Sequence, residues 1–143
     1  MTPKVVDASV AIKWLLPSRH ESQGPQAMAL LDAWTSSREQ LLVPDIFWAE
    51  VTNVLWKAVR TGRATLADAQ AALARLKGSD LPTVSTYALV EKALQIAAAW
   101  QRSAYDSLYV ALAKEADAEL STADERLANA LAGRYPVRWL GSL

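Results

Sequence analysis

Short apolar runs alternate along the chain with longer stretches in which apolar residues recur every three or four positions. Lys4-Val5-Val6-Asp7 reads as a short buried strand. The pattern from Ser9 to Leu16 then reads as a helix, ended by Pro17. Gly24-Pro25 opens a second helix to about Ser37, and Leu41-Leu42-Val43 is a second strand stopped by Pro44. From Asp45 to about Thr61, Phe47, Val51, Val54, Leu55 and Ala58 keep the helical period, with Gly62 as its C-terminal stop. Thr65 is placed to cap a helix to about Lys77, and Thr83-Val84-Ser85 is a weak third strand. Helices are predicted at about Tyr87–Trp100 and Ala104–Ala116. The latter carries Tyr105, Leu108, Tyr109, Leu112, Ala113 and Ala116 on one face. Glu119 to Thr122 reads as a strand, Asp124 to Leu131 as a helix and Val137-Arg138-Trp139 as a last strand.

Strands that alternate with helices imply an α/β fold with a mainly parallel sheet and helices on both faces. Ligands of such sheets bind at the carboxyl ends of the strands. No internal repeat, low-complexity stretch or Gly/Pro/Ser-rich linker interrupts the pattern, so residues 1–143 are expected to form a single domain.

Composition narrows the chemistry. Half of the residues are hydrophobic, enough for a sizeable core, and the formal net charge is +0. A neutral chain has no bulk attraction for nucleic acid, although local basic patches remain available. The absence of cysteine excludes disulfides, thiolate zinc sites and a cysteine nucleophile. His20 is the sole histidine, which excludes a two-histidine acid–base nuclease within one chain. A Ser–His–Asp hydrolase would have to use His20, which lies in a polar loop without a nucleophile motif and reads as a surface residue. Neither G-x-G-x-x-G nor G-x-x-x-x-G-K-[ST] occurs, which speaks against a Rossmann dehydrogenase or an NTPase. Asp7 and Lys13 interrupt any signal-peptide core, and no apolar run is long enough to span a bilayer. The expectation is a soluble, cytoplasmic protein with no membrane partner.

Four acids fall where the expected sheet would gather them. Asp7 ends the first strand, Asp124 lies just past the Glu119–Thr122 strand, and Glu50 lies about one turn into the helix after the second strand. Asp106 joins them if its helix starts at the same edge. Clustered carboxylates repel and raise one another's pKa, and a divalent cation relieves that repulsion. Oxygen-only donors favour a hard ion, Mg²⁺ or Mn²⁺, which polarises a phosphate oxygen and activates water. Each acid also has a structural reading, and taken singly that reading is the commoner one. Asp7 can cap the first helix, Ser103-x-x-Asp106 and Thr122-x-x-Glu125 resemble capping boxes, and Asp124 suits a first helical turn. Glu50 can be an exposed helix residue beside Trp48, Val51 and Val54. Their joint placement at strand ends favours function. Glu125 reads as a cap partner of Thr122. Trp34, Trp56 and Trp100 read as core or interface. Trp14 and Trp48 lie nearer the cleft but also read as packing. Lys13, Arg19, Lys57 and Arg102, each taken alone, read as solvated surface charges.

The same residues carry a family resemblance. Val5-Val6-Asp7-Ala8-Ser9-Val10 resembles the opening motif of PIN-domain proteins, and Trp48-Ala49-Glu50-Val51 resembles their second. Tyr105-Asp106-Ser107-Leu108-Tyr109-Val110-Ala111-Leu112-Ala113 is very close to the third, and Ser121-Thr122-Ala123-Asp124 matches the fourth. The motifs occur in the family's order over nearly the whole chain, and its length is similar to that of the toxin half of VapBC-type toxin–antitoxin pairs. The resemblance implies the PIN fold, a parallel α/β/α sandwich, and endoribonuclease cleavage dependent on Mg²⁺ or Mn²⁺. It carries Asp7, Glu50, Asp106 and Asp124 over as the catalytic, metal-binding set, with Ser9 or Thr122 holding them by hydrogen bonds. It further implies an RNA substrate, a homodimer and inhibition by a cognate VapB-like antitoxin, with operator DNA reached only through that antitoxin. Two other readings stand beside it: a PIN nuclease of structured DNA or ribosomal RNA maturation, and a non-catalytic module that sequesters RNA or protein.

Overall fold

The computed structural model describes residues 3–16 and 23–143, so Pro17, Arg19 and His20 lie outside the described residues. In chain order the elements are β1 (Lys4–Val6), α1 (Ala8–Leu15), α2 (Gly24–Thr35), β2 (Leu41–Pro44), α3 (Ile46–Arg60) and α4 (Leu66–Gly78). They continue with β3 (Thr83–Val84), α5 (Val90–Trp100), α6 (Ala104–Glu115), β4 (Glu119–Thr122), α7 (Glu125–Leu131) and β5 (Val137–Trp139). The strands form one five-stranded sheet in the order β3-β2-β1-β4-β5, and every neighbouring pair is parallel.

The central strand explains the shape. A parallel strand covered on both faces must be apolar throughout, and Val5 and Val6 are both fully buried. Helices flank the sheet on both faces: α1 packs with α2, α3 and α4, while α5 packs with α6, which also lies against β1, β2 and β4. From β1 the chain builds outward to β2 and β3, then returns to β1's other side for β4 and β5. That reversal falls at the carboxyl ends of β1 and β4, the position where open parallel sheets bind ligands. Asp7 follows β1 directly and Asp124 follows β4 after one intervening residue.

Three local features differ from the sequence reading. The segment Thr86–Leu89 is a separate 3₁₀ turn rather than the start of α5. Ser85 caps it by accepting the Tyr87 N–H at 3.3 Å, and a turn closed that tightly feeds α5 only from Val90. Pro44 is the last residue of β2 rather than its stop. The ladder skips its missing N–H, with Val43 donating to the Pro82 carbonyl (3.0 Å) and Asp45 to that of Val84 (2.8 Å). Thr122 does not cap α7. It is a strand residue paired with Trp139, and Asp124 is the cap, accepting the Leu127 N–H at 3.1 Å. The reading of Glu125 as Thr122's capping partner is thereby corrected: Glu125 is the exposed first residue of α7.

Gly62 ends α3 as its position implied. With φ at +76°, it donates to the Val59 carbonyl (3.2 Å) while Arg63 donates to that of Ala58 (2.8 Å), the paired bonds of a Schellman motif. A Cβ at that backbone conformation costs about 1 kcal/mol. Gly62→Ala is therefore expected to lower the free energy of unfolding by that amount in urea titrations, without change in activity. No stability loss would mean that the turn does not need the left-handed residue.

Candidate active site

Each acid is fixed by the helix or strand that delivers it. Asp7 leaves β1 in an extended conformation and caps α1. Its carboxylate accepts the Val10 N–H at 3.3 Å and a short hydrogen bond from the Ser9 hydroxyl, and the Thr122 hydroxyl adds another. Ser9 Oγ in turn accepts the Ala123 N–H at 3.1 Å, so one hydroxyl ties the ends of β1 and β4 together. Asp7 is only 8% exposed. Burial pushes its pKa up to about 6, against the pull of the bonds from Ser9, Thr122 and Val10, and the charge of Asp106 pushes the same way as burial.

Asp106 stands in the first turn of α6, where Ser103 accepts its N–H at 3.0 Å. Of the capping box read from Ser103-x-x-Asp106, the bond to the Ser103 hydroxyl is formed. Burial raises the Asp106 pKa above the ordinary carboxylate value; the Ser103 hydroxyl lowers it, the charge of Asp124 raises it and that of Arg102 lowers it. Asp124 is exposed. Besides capping Leu127, it donates its own N–H to Thr122 Oγ1 at 3.0 Å. Glu50 is half-buried on α3, and its Oε1 accepts the Tyr109 hydroxyl at 2.6 Å.

Tyr109 links these groups, and sequence reasoning missed it. The 3.6-residue period places Tyr109 on the packing face of α6, and it is indeed buried. Its hydroxyl nevertheless reaches Glu50 on α3 and receives the Ala8 N–H at the start of α1. Burial raises its pKa far above the phenol value, followed by the Glu50 hydrogen bond and the charges of Glu50 and Asp7, so it stays a hydrogen-bond donor. The usable signal was its place one helical turn after Asp106. Tyr109→Phe removes Glu50's donor and the acceptor of the Ala8 N–H. It should lower stability by about 1–2 kcal/mol, read from urea unfolding. A variant as stable as the parent would mean that the hydroxyl is dispensable.

The four acids are linked only in pairs: Asp7 with Asp106, Asp106 with Asp124, and Tyr109 with both Glu50 and Asp7. Asp7 and Asp124 cap helices and Asp106 stands in a first turn, so the positive ends of α1, α6 and α7 point at this negative charge. Among the described residues no group of three or more acids is close enough to hold a metal ion as it stands. The donor chemistry, carboxylate oxygens with two pKa values raised by burial and mutual repulsion, fits a hard divalent cation at Asp7 and Asp106.

Two basic residues depart from the surface role read for them. Lys13 is only 6% exposed on α1, and Arg102 is half-buried at the α5–α6 turn. Lys57 is exposed as read. Trp14 and Trp34 stack at 6.4 Å, with the Trp14 indole donating to the Ala27 carbonyl at 2.7 Å. Trp48 donates to Thr83 Oγ1 at 3.0 Å and meets Phe47 edge-on, as packing residues do. Trp56 is not in the core: it is 54% exposed, beneath the Arg60 guanidinium.

The five-stranded parallel sheet of order β3-β2-β1-β4-β5 carries acids at the carboxyl ends of its central strands, and the PIN domain family model matches residues 4–131. The chain is 32% identical over 133 residues to Ribonuclease VapC9 of Mycobacterium tuberculosis, covering 93% of this chain and 94% of that one. The chain therefore belongs to the PIN-domain family, within its VapC group. Among solved structures, PAE2754 from Pyrobaculum aerophilum is similar at a TM-score of 0.74 and 23% identity, covering 99% of this chain and 85% of the other. A toxin–antitoxin complex from Klebsiella pneumoniae is similar at 0.65 and 19%, covering 94% and 95%. Both confirm the fold. No helix among the described residues is long and apolar enough to cross a membrane.

Proposed function

We propose that the chain is a divalent-metal-dependent endoribonuclease and the toxin of a type II toxin–antitoxin pair, folded as a single PIN domain over residues 1–143. The observation that carries the reading is Asp7. It is a buried carboxylate with its pKa raised to about 6, held by three hydrogen bonds at the carboxyl end of β1 with Asp106 beside it. Burying a charge is costly unless it is used or compensated, and strongly perturbed acids in clefts mark functional sites. The similarity to VapC ribonucleases supports RNA as the substrate class.

Asp7 and Asp106 hold the ion, Mg²⁺ or Mn²⁺, with Glu50 and Asp124 completing the catalytic set. When bound, the ion supplies Lewis acidity to the phosphodiester and makes water a better nucleophile. The chain's own groups do the positioning. Ser9 and Thr122 fix the Asp7 carboxylate, Tyr109 fixes Glu50, and Ser103 sets the turn that carries Asp106. The working protein is a cytoplasmic homodimer neutralised by a cognate VapB-like antitoxin, and it meets operator DNA only through that antitoxin.

A second reading has one observation in its favour. The absence of a ready three-acid group among the described residues suits a PIN-like module that binds RNA without cutting it. Incubation of the antitoxin-free protein with total cellular RNA in Mg²⁺ or Mn²⁺, with EDTA and Asp7→Asn controls, separates the two. Discrete cleavage that needs both metal and Asp7 is the expected result. Binding without cleavage under any divalent ion would replace it with the second reading, and cleavage that survives EDTA would overturn the mechanism.

A further inference from the structure

The turn between α5 and α6 brings a cation to the acids. Gln101 ends α5 in a left-handed conformation, with φ at 53°. Arg102 follows and Ser103 then caps α6. The Arg102 side chain is half-buried, and its Nε is closed off from solvent with no hydrogen-bond partner. Its charge is felt by Asp106, one turn further on. Yet among the described residues no acid lies within ion-pair distance of it. The guanidinium is thus near the candidate acids without being committed to any of them.

The Nε is out of reach of any incoming ligand, but among the described residues the two terminal nitrogens of the guanidinium are neither closed off nor hydrogen-bonded, so they are the donors an incoming oxygen can meet. The planar guanidinium fork matches phosphate oxygens in pairs, where an ammonium would act only as a point charge. The need for such a contact is electrostatic. Four carboxylates repel a polyanion approaching them, and on a chain of zero net charge the compensating charge must be local. Positive charge also continues beyond the turn, where Arg134 lies 5.5 Å over the ring of Trp100, the last residue of α5.

We propose that Arg102 is a substrate-binding residue that takes a backbone phosphate of the RNA strand lying across the acids. This rests on the ribonuclease reading above. Arg102 acts on binding, where the acids act on the bond that breaks.

The test is the salt dependence of RNA affinity, measured by fluorescence anisotropy in Mg²⁺ with a labelled random-sequence RNA of about 20 nucleotides between about 50 and 200 mM salt. The Asp7→Asn background prevents cleavage. Each phosphate contact on a single strand contributes about 0.7 to the slope of log K against log salt. Arg102→Gln is expected to reduce the slope by about that much and to weaken binding about tenfold at the lower salt. Arg102→Lys should keep the slope while still weakening binding, because it retains the charge and loses the fork. Arg60→Gln, which removes the same charge at the far end of α3, should leave the slope unchanged. An Arg102→Gln protein with parental slope and affinity overturns the assignment, and a lowered melting temperature alongside would show Arg102 to be structural. An equal loss in Arg60→Gln would show bulk charge alone and also overturn it. If the unsubstituted protein cleaves RNA while Arg102→Gln behaves like its parent, only the role of Arg102 falls. If that protein neither binds nor cleaves RNA, the ribonuclease reading falls with it.

Discussion

Asp7→Asn is expected to lower RNA cleavage by about 10²–10³-fold or more and, in the same molecule, to raise the stability of the metal-free protein near neutral pH. The first effect follows from the several kcal/mol of charge stabilisation that a bound cation contributes to such reactions, at tenfold per about 1.4 kcal/mol. The second follows from burial. The Asp7 pKa rises from 3.8 to about 6 on folding, so the folded chain holds the proton more tightly than the unfolded chain does. That contribution to stability is fully present below pH 3.8 and is lost as pH rises through about 6. Above that window the ionised carboxylate costs up to about 3 kcal/mol, the shift converted at about 1.4 kcal/mol per unit. Asparagine keeps the helix cap and the bond from Ser9 but carries no charge. Melting curves in EDTA should therefore show the variant above the parent at pH 7.5 and level with it near pH 4. A variant that melts below the parent at pH 7.5 would mean that the carboxylate is compensated in the folded protein. Protons and divalent ions compete for the same oxygens, so metal affinity should also weaken as pH falls below about 6.

The largest stability loss is expected from Phe47→Ala. Phe47 is among the largest fully buried side chains and meets Trp48 edge-on at 5.1 Å between ring centroids. Emptying such a site costs about 3–5 kcal/mol, a large part of what holds a domain of this size folded. Because α3 also carries Glu50 one turn further on, activity should fall with stability, unlike in Asp7→Asn. Urea unfolding gives the first quantity and RNA cleavage the second. A loss below about 1.5 kcal/mol would mean that the neighbouring side chains collapse into the space.

Much of this fold was legible because hydrophobic periodicity reports which faces are buried. The strands Glu119–Thr122 and Val137–Trp139 lie where the apolar alternation put them, and Asp7 and Asp124 stood out as acids placed just past the ends of strands. Periodicity does not report which polar atom a buried side chain will meet. Tyr109 has the spacing of a core residue and is one, yet its hydroxyl is the polar link between α3 and α6. Lys13 sits in a mostly apolar helix and is itself buried, where composition alone suggests a solvated charge. The 3₁₀ turn at Thr86–Leu89 has the same apolar spacing as a helix and differs only in its hydrogen bonds. Thr122 and Asp124 are both good capping residues. The contest was settled by the sheet, which takes Thr122 into β4.

The pairing of β1 with β4 joins segments far apart in the chain, Lys4 opposite Glu119 and Val6 opposite Ser121. A ribosome that has made only the first hundred residues has therefore made Asp7 and Glu50 but neither Asp106 nor the strand that positions Asp124. Non-local parallel pairings close late and slowly. The acids of a site built this way cannot come together until synthesis has passed Asp124.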